Sequence, residues 1–370
     1  MAGALILAAL AISTTADYQG VLDRMRNDQE LPGVSAVITH HDEIVFAGAS
    51  GMADLETRRP MTPATVVYSG SLSKVFTAVL TLRLVEEGKL SLRDPVAGIA
   101  TQSSSKAPVI TVTHLLTHAS GLEREGNFGY WFSADFPDRK ALADYLLSTE
   151  LREQPGTSLH YSNVGYAKLG LVIEDKGGQT YSDALRTRLL EPLGMTSSGT
   201  PGPGAAMSSG YTPVGRMIPN EDRPFAGVGR AVGNRHIREY HDAAAMSPAF
   251  GIYTSACDLA RLTRFLLGHG GSDVLSTGMR KRMRTRQASG WGLGLKLGTL
   301  DGRRVARHEG WFAAHRSHML LDIEADISIV VMTNSDSGSP AKIAEALHEA
   351  ILKKNQSDAM FGVALHISGE

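Results

Sequence analysis

The chain has little cysteine, no excess of either charge and no apolar run long enough to span a bilayer. A single cysteine, Cys257, excludes an intrachain disulfide among the 370 residues and leaves the redox compartment open. The 37 basic and 38 acidic residues give a net charge of −1. Such a balance creates no field that would attract nucleic acid or an anionic membrane. We therefore expect no nucleic-acid partner and no stable membrane insertion.

Several common catalytic motifs are also missing. The sequence has no G-x-S-x-G, no phosphate-binding loop and no G-x-G-x-x-G, which argues against an α/β-hydrolase, a nucleotide triphosphatase and a dinucleotide enzyme. His114 and His118 have the spacing of a helical metal pair but lack the glutamate of the H-E-x-x-H motif. We predict no metal and no cofactor, and we expect Cys257 to be a packed small residue.

The first residues form a short apolar run that ends in small and polar residues. Residues 1–16 resemble the core of a secretory signal, although only the α-amino group supplies positive charge. If this segment acts as a signal, the protein is periplasmic or secreted. If it does not, we expect a cytoplasmic protein.

Hydrophobic periodicity predicts strands near both chain ends and helices between them. The predicted strands are 34–39, 43–48, 291–297, 303–308, 315–321 and 327–334, and the predicted helices are 75–87, 113–117, 163–176, 181–190, 258–267 and 340–354, with a loop at 199–215. This order indicates an α+β fold: a mainly antiparallel sheet built from both chain ends, flanked by helices, with an inserted mostly helical subdomain. We predict one domain over 17–355, with its sheet part at about 17–68 and 288–355, its helical part at about 69–287, and a loosely held tail over 356–370.

The most informative motif is Ser71-Leu72-Ser73-Lys74, which precedes an apolar run. A serine three residues before a lysine puts both side chains on one face of a helix's first turn. A serine hydroxyl needs a base within hydrogen-bond reach, and a lysine amine serves if burial lowers its pKa. The alternative is an N-cap serine followed by a solvated lysine. The motif alone does not decide between the two.

Two further motifs follow along the chain: Tyr161-Ser162-Asn163, and His308-Glu309-Gly310 before Trp311. The order S-x-x-K, Y-S-N and then a basic residue before x-Gly resembles the penicillin-recognising serine hydrolases. These are the serine β-lactamases, penicillin-binding proteins, and related esterases and D-aminopeptidases. Stretches such as His114-Leu115-Leu116-Thr117-His118-Ala119-Ser120-Gly121-Leu122 and Glu191-Pro192-Leu193-Gly194-Met195 resemble the same family, from about residue 20 to 355.

The resemblance implies a β-lactamase/transpeptidase-like fold and a role for each motif residue. Ser71 would be the nucleophile, and Lys74 and Tyr161 would jointly take its proton. Tyr161 would also protonate the leaving group, with its phenolate form favoured by Lys74. Asn163 would hold Lys74 and a substrate carbonyl through its side-chain amide. The alternative for Asn163 is an N-cap of the helix that follows.

The third motif departs from the family pattern. His308 stands where β-lactamases and penicillin-binding proteins have a permanently charged lysine, and a histidine is only partly charged near neutral pH. We interpret this as weakened recognition of the β-lactam carboxylate. Gly310 would let the edge strand approach the substrate. By resemblance, the backbone N–H groups of Ser71 and Trp311 would form the oxyanion hole, and the Trp311 side chain would narrow the acyl pocket.

Taken together, the motifs predict a serine hydrolase that acts through an acyl-enzyme on esters or small amides. The expected partner is a small-molecule ester, amide or β-lactam substrate, and the oligomeric state is left open. The alternatives within the enzyme class are a D-alanyl or D-amino-acid peptidase and a true β-lactamase. A different class is also open, namely an acylatable sensor or an assembly protein on the same fold.

Overall fold

The computed structural model describes residues 18–99, 109–200, 207–214, 228–238, 242–287 and 290–367. The predicted signal segment 1–16 lies outside these ranges. The strands are β1 (Gly33–His40), β2 (Glu43–Asp54), β3 (Arg59–Pro60), β4 (Val67–Tyr68), β5 (Gly210–Pro213), β6 (Val228–Val232), β7 (Arg235–Arg238), β8 (Tyr253–Thr254), β9 (Lys296–Leu300), β10 (Arg303–Phe312), β11 (His315–Asp322) and β12 (Ile327–Thr333).

Helices fill the middle of the chain and flank the sheet. Residues 18–28 form α1. The others are α2 (Ser73–Glu86), α3 (Val112–Leu116), α4 (Tyr130–Ser133), α5 (Arg139–Ser148), α6 (Asn163–Gly177), α7 (Tyr181–Leu185), α8 (Ala256–Leu267), α9 (Thr277–Met283) and α10 (Pro340–Ile367). Within the described ranges, none of the helices is long and apolar enough to cross a bilayer.

A seven-stranded sheet has the order β3-β2-β1-β12-β11-β10-β9. Every one of its strand pairs is antiparallel, and β1 pairs along its length with β12, from Val34 opposite Thr333 to His40 opposite Ile327. The two ends of the chain therefore meet in the middle of one sheet. This arrangement, with helices between the two halves of the sheet, confirms the predicted α+β fold.

Both faces of the sheet are covered. All seven residues of β12 are buried, and they alternate between two hydrophobic clusters. Val330 and Met332 face the cluster shared with α2, α6 and α8, whereas Ile329 and Val331 face α1 and α10. Because α2 is apolar around almost its whole circumference, it runs through the core between the sheet and α6, and it carries Lys74 into that core.

Four predicted segments differ in the structure, and several elements, including α1, α5 and α9, were not predicted from the sequence. The predicted loop 199–215 contains β5, which forms a separate three-stranded sheet with β6 and β7. The strand expected at 291–297 begins only at Lys296, because Gly294 has a φ of +85° that a strand does not adopt. The helix expected at 181–190 continues as a π-helical turn at Arg186–Leu190. The last helix runs from Pro340 to Ile367 and replaces most of the loosely held tail expected after residue 355.

Candidate active site

Ser71 lies in a 3₁₀ turn, Gly70–Leu72, between β4 and α2. The neighbouring serines are buried and are occupied by structural hydrogen bonds. The Ser69 hydroxyl donates to the carbonyl of Ile252 over 2.8 Å, and the Ser73 hydroxyl accepts from the backbone N–H of Ile252 over 3.0 Å. Of the three serines, only Ser71 lines the cavity described below. The structure therefore singles out Ser71 as the accessible hydroxyl of the motif.

Two glycines bring this turn against the edge of the large sheet. A Cβ atom on Gly70, whose φ is +55°, would lie 2.2 Å from the backbone nitrogen of Trp311. A Cβ atom on Gly310 would lie 1.9 Å from the Ser69 carbonyl oxygen. Only glycine permits an approach this close. The Gly310 contact is thus with the protein's own backbone, and it places β10 beside the nucleophile.

Lys74 lies in the first turn of α2 and is completely buried. Its Nζ atom lies 3.1 Å from the Ser71 hydroxyl, 2.6 Å from Oδ1 of Asn163 and 2.7 Å from the carbonyl oxygen of Ala249. The carbonyl and amide oxygens can only accept hydrogen bonds, whereas the serine hydroxyl can also donate one. A charged amine can donate to all three atoms, whereas a neutral amine that donates to Asn163 and Ala249 turns its lone pair to Ser71.

Burial favours that neutral form. Desolvation holds the pKa of Lys74 well below its usual range, the negative charge of Glu125 opposes this shift, and the positive charge of Arg124 adds to it. The alternative of a solvated lysine is therefore wrong, and the pKa of the amine is shifted in the direction that a base requires.

Glu125 is a charged residue that the sequence analysis missed. Asn163 donates from Nδ2 to both carboxylate oxygens of Glu125 over 2.8 Å, and the hydroxyl of Tyr130 donates to the same carboxylate. The helix α6 begins at Asn163, and its N-cap is Ser162, whose side chain accepts from the backbone N–H of Gly165. The N-cap alternative for Asn163 is therefore wrong. The amide of Asn163 instead bridges the buried lysine and a partly buried carboxylate.

Tyr161 lies beside Lys74 and lines the same cavity as Ser71. Lys74 Nζ lies 4.8 Å from the centre of its ring, and the ring stacks on His118 at 4.2 Å. Burial raises the pKa of Tyr161, although a hydrogen bond with Ser71 opposes the change. The expected phenolate is therefore wrong for the resting protein: Tyr161 holds a proton that it can donate.

The two histidines with metal-like spacing have structural partners instead. His114 Nδ1 accepts the backbone N–H of Thr111 over 3.2 Å, and His118 Nδ1 accepts the backbone N–H of Ser162 over 3.1 Å. Among the described residues, no group of three or more histidine, cysteine, aspartate or glutamate side chains is arranged to hold a metal ion. His118 thereby fixes the backbone between Tyr161 and Asn163.

His308 is buried, and its protonation follows from one contact. Its Nδ1 atom lies 2.8 Å from the carbonyl oxygen of Glu309, which can only accept, so Nδ1 carries the proton and Nε2 presents a lone pair. Burial and the nearby charge of Lys74 lower the pKa of His308 to about 3. The expectation of a partly charged imidazole is therefore wrong. His308 is a neutral hydrogen-bond acceptor.

Aromatic side chains pack around Trp311. Trp311 donates from Nε1 to Asp336 over 2.5 Å and stacks on Trp131 with 5.3 Å between ring centres. Trp131 in turn packs against Phe250. These contacts hold the Trp311 side chain in the lining of the cavity described below.

One cavity of about 380 Å³ joins these groups. Six of the seven predicted site residues line it, namely Ser71, Tyr161, Asn163, His308, Gly310 and Trp311. The seventh, Lys74, does not line the cavity, but its Nζ atom contacts the Ser71 hydroxyl. A volume of this size suits a small-molecule ligand. Trp131 of α4 also lines the cavity.

Comparison with known proteins identifies the family of this chain. A family profile described as Beta-lactamase matches residues 19–353. Esterase EstB of Burkholderia gladioli is 28% identical, over 92% of this chain and 96% of its own length. Penicillin-binding protein 4 of Amycolatopsis lactamdurans is also 28% identical, over 86% of this chain and 85% of its own length.

Solved structures show the same fold. The D-amino acid amidase of Ochrobactrum anthropi superposes with a TM-score of 0.81 at 24% identity, covering 92% of this chain and 99% of the amidase. The octameric penicillin-binding protein homologue of Pyrococcus abyssi gives a TM-score of 0.76 at 25% identity, covering 91% of this chain and 77% of the homologue. The chain belongs to the beta-lactamase family, and it is a serine hydrolase of the acyl-enzyme type.

Proposed function

We propose that Ser71, Lys74 and Tyr161 carry out acyl transfer from small esters or amides to water. One observation supports this above the others. Of the three polar atoms within hydrogen-bond distance of Lys74 Nζ, only the Ser71 hydroxyl has a proton to give. A buried neutral amine so placed is a base directed at one hydroxyl.

In the acylation step, Ser71 Oγ bonds to the carbonyl carbon and its proton passes to Lys74. The backbone N–H groups of Ser71 and Trp311 stabilise the oxyanion, each contributing on the order of 10²–10³ in rate. The Tyr161 phenol gives its proton to the leaving oxygen or nitrogen as the carbonyl bond to it breaks. Lys74 then returns its proton to Tyr161, and a water molecule releases the acyl group by the reverse sequence of proton transfers.

The environment of His308 favours esters and amides over β-lactams. At the position where a lysine of the related β-lactamases binds the substrate carboxylate, this chain presents the lone pair of a neutral imidazole. A carboxylate placed against that lone pair meets repulsion rather than a hydrogen bond. We therefore assign the preferred substrate to compounds that carry no carboxylate at this point of the site.

Hydrolysis of p-nitrophenyl butyrate by wild type, Ser71→Ala and Ser73→Ala tests the proposal. We expect turnover by wild type, loss of turnover in Ser71→Ala, and turnover in Ser73→Ala, since the Ser73 hydroxyl is occupied within the fold. Intact mass spectrometry after rapid quenching should show one butyryl group on wild type and on Ser73→Ala, and none on Ser71→Ala. Full turnover by Ser71→Ala would disprove the mechanism.

The alternatives make different predictions in the same experiment. Turnover of D-alanyl peptides or of penicillins without turnover of the butyrate ester would identify a peptidase or a true β-lactamase. Stable acylation of Ser71 with no release would instead support a sensor.

A further inference from the structure

Two basic residues lie side by side at one end of the active-site cavity. Lys296 on β9 and Arg307 on β10 are direct partners in the antiparallel register, and both line the cavity that contains Ser71. Directly opposite residues have Cβ atoms roughly 5 Å apart, and like charges at that separation destabilise a sheet. A pair of this kind therefore needs an explanation.

Within the described residues, neither cation has a salt bridge or a side-chain hydrogen bond. The Nε atom of Arg307 is buried and has no hydrogen-bond partner. The nearest acidic residue of the cavity, Glu309, is exposed, and its carboxylate lies 4.0 Å from His318. By contrast, Arg124, another cation of the cavity, pairs with Glu125 over 3.0 Å. Within the part of the chain that the structure describes, Lys296 and Arg307 are thus two adjacent cations without an ion pair.

The pair lies along the strand that carries the reaction site. Gly310, which contacts the backbone next to the nucleophile, lies three positions after Arg307, and this spacing corresponds to about 10 Å of extended chain. Both side chains line the same cavity as Ser71. A group held by them would lie several bonds from the carbonyl that Ser71 attacks.

We propose that Lys296 and Arg307 form a binding subsite for a carboxylate of the substrate. The inference rests on the proposed hydrolase function and narrows its substrates to esters or amides with a negatively charged group several bonds from the reacting carbonyl. Arginine binds a carboxylate through two parallel hydrogen bonds, and a neighbouring lysine adds a point charge. The carboxylate is thus recognised beside His308 along the strand and not at His308 itself.

The test compares charged and neutral esters of matched size. p-Nitrophenyl butyrate is paired with the p-nitrophenyl monoester of glutarate, which puts a carboxylate on the acyl side. p-Nitrophenyl acetate is paired with a carboxylated nitrophenyl acetate, which puts it on the leaving group. Wild type, the double variant Lys296→Met/Arg307→Met and the control Lys281→Met are assayed for kcat/KM at low and high salt. Lys281 is an exposed cation of α9 outside the cavity.

We expect wild type to prefer at least one charged ester over its neutral partner. The double variant should lower kcat/KM for that ester by roughly tenfold or more, while its neutral partner changes little. Added salt should reduce the preference in wild type, since it screens exposed charges. Lys281→Met should behave as wild type.

Two results would overturn the subsite: no preference for either charged ester, or equal losses for charged and neutral esters in the double variant. Neither result affects the proposed hydrolase function, which fails only if neutral esters are not turned over or if Ser71→Ala retains activity. Calorimetric titration of Ser71→Ala with monomethyl glutarate measures the subsite without turnover. Binding that disappears with Lys296→Met/Arg307→Met supports it, and binding that the substitutions leave unchanged contradicts it.

Discussion

The contact of Gly310 with the turn before the nucleophile makes Gly310→Ala a sharp test of the site geometry. An added Cβ atom would lie 1.9 Å from the Ser69 carbonyl oxygen and 2.3 Å from the Ser317 hydroxyl. The Ser317 hydroxyl donates to that same carbonyl over 2.6 Å, so the added methyl group also occupies the place of a buried hydrogen bond. Neither backbone can move without changing the position of Ser71 relative to β10.

The size of the effect follows from these distances. Real Cβ contacts stay above 3.0 Å, so the strand and the turn must separate by about 1 Å or more. A misplacement of about 1 Å at a reaction site can lower the rate by about 10²-fold. Since the displaced strand carries the Trp311 N–H, the loss should fall mainly on kcat.

The assay is steady-state hydrolysis of p-nitrophenyl butyrate, with thermal unfolding measured on the same samples. Gly177→Ala is the matched control, because no atom lies within 4 Å of an added Cβ there and the backbone is helical. We expect Gly310→Ala to lose about 10²-fold in kcat and to melt at a lower temperature, and Gly177→Ala to match wild type. A folded Gly310→Ala protein with kcat within threefold of wild type would refute the reasoning.

Three further predictions concern charge. Glu125→Gln removes a negative charge that raises the pKa of Lys74, so the pKa on the acid side of the pH profile of kcat/KM should decrease. An unchanged or increased pKa on that side would contradict this assignment. His308→Lys should increase the second-order rate constant for acylation by penicillins. An unchanged or lower rate constant would contradict the inference that the neutral His308 weakens binding of the β-lactam carboxylate. The Asp322 carboxylate is fully buried and bonds His348 over 3.0 Å, so Asp322→Ala should reduce the free energy of unfolding at neutral pH by roughly 3 kcal/mol or more. Burial raises the pKa of Asp322, but its hydrogen bonds lower the pKa by more, so the pKa in the folded protein lies below the usual aspartate value. The stabilisation is therefore present above the usual pKa and is lost as the pH falls through the lowered pKa of the folded protein. A loss of stability in Asp322→Ala that persists in acid would refute this linkage.

The sequence predicted the large sheet and the helices because their signals are local. Continuous apolar runs in Gly33–His40, in Ile327–Thr333 and after Ser71, and alternation in Arg303–Phe312, each indicate an element without reference to the rest of the chain. The small sheet of β5, β6 and β7 carries no such alternation and depends on pairing between segments, for example Tyr211 with Ile237. Its existence could not be predicted from periodicity.

In the site, the residue types of Ser71, Lys74 and Tyr161 could be predicted, but their protonation could not. The neutrality of His308 comes from burial and from one bond to Glu309. The contact of Glu125 with Asn163 joins a loop to a helix start and leaves no spacing signal in the sequence. Motifs specify which groups meet, whereas the surrounding packing sets their charge.

The pairing of β1 with β12 also has a consequence for biosynthesis. Val34 and Thr333 are partners in the centre of the sheet, and nearly the whole chain lies between them. On the ribosome, the hairpin of β1 and β2 emerges early but lacks its central neighbour until translation is almost complete. Pairings this distant in sequence slow folding, and the unpaired edge of β1 is open to wrong partners in the meantime. Truncation before Ile327 removes β12 from the interior of the sheet, between β1 and β11, and should therefore abolish folding of the whole sheet.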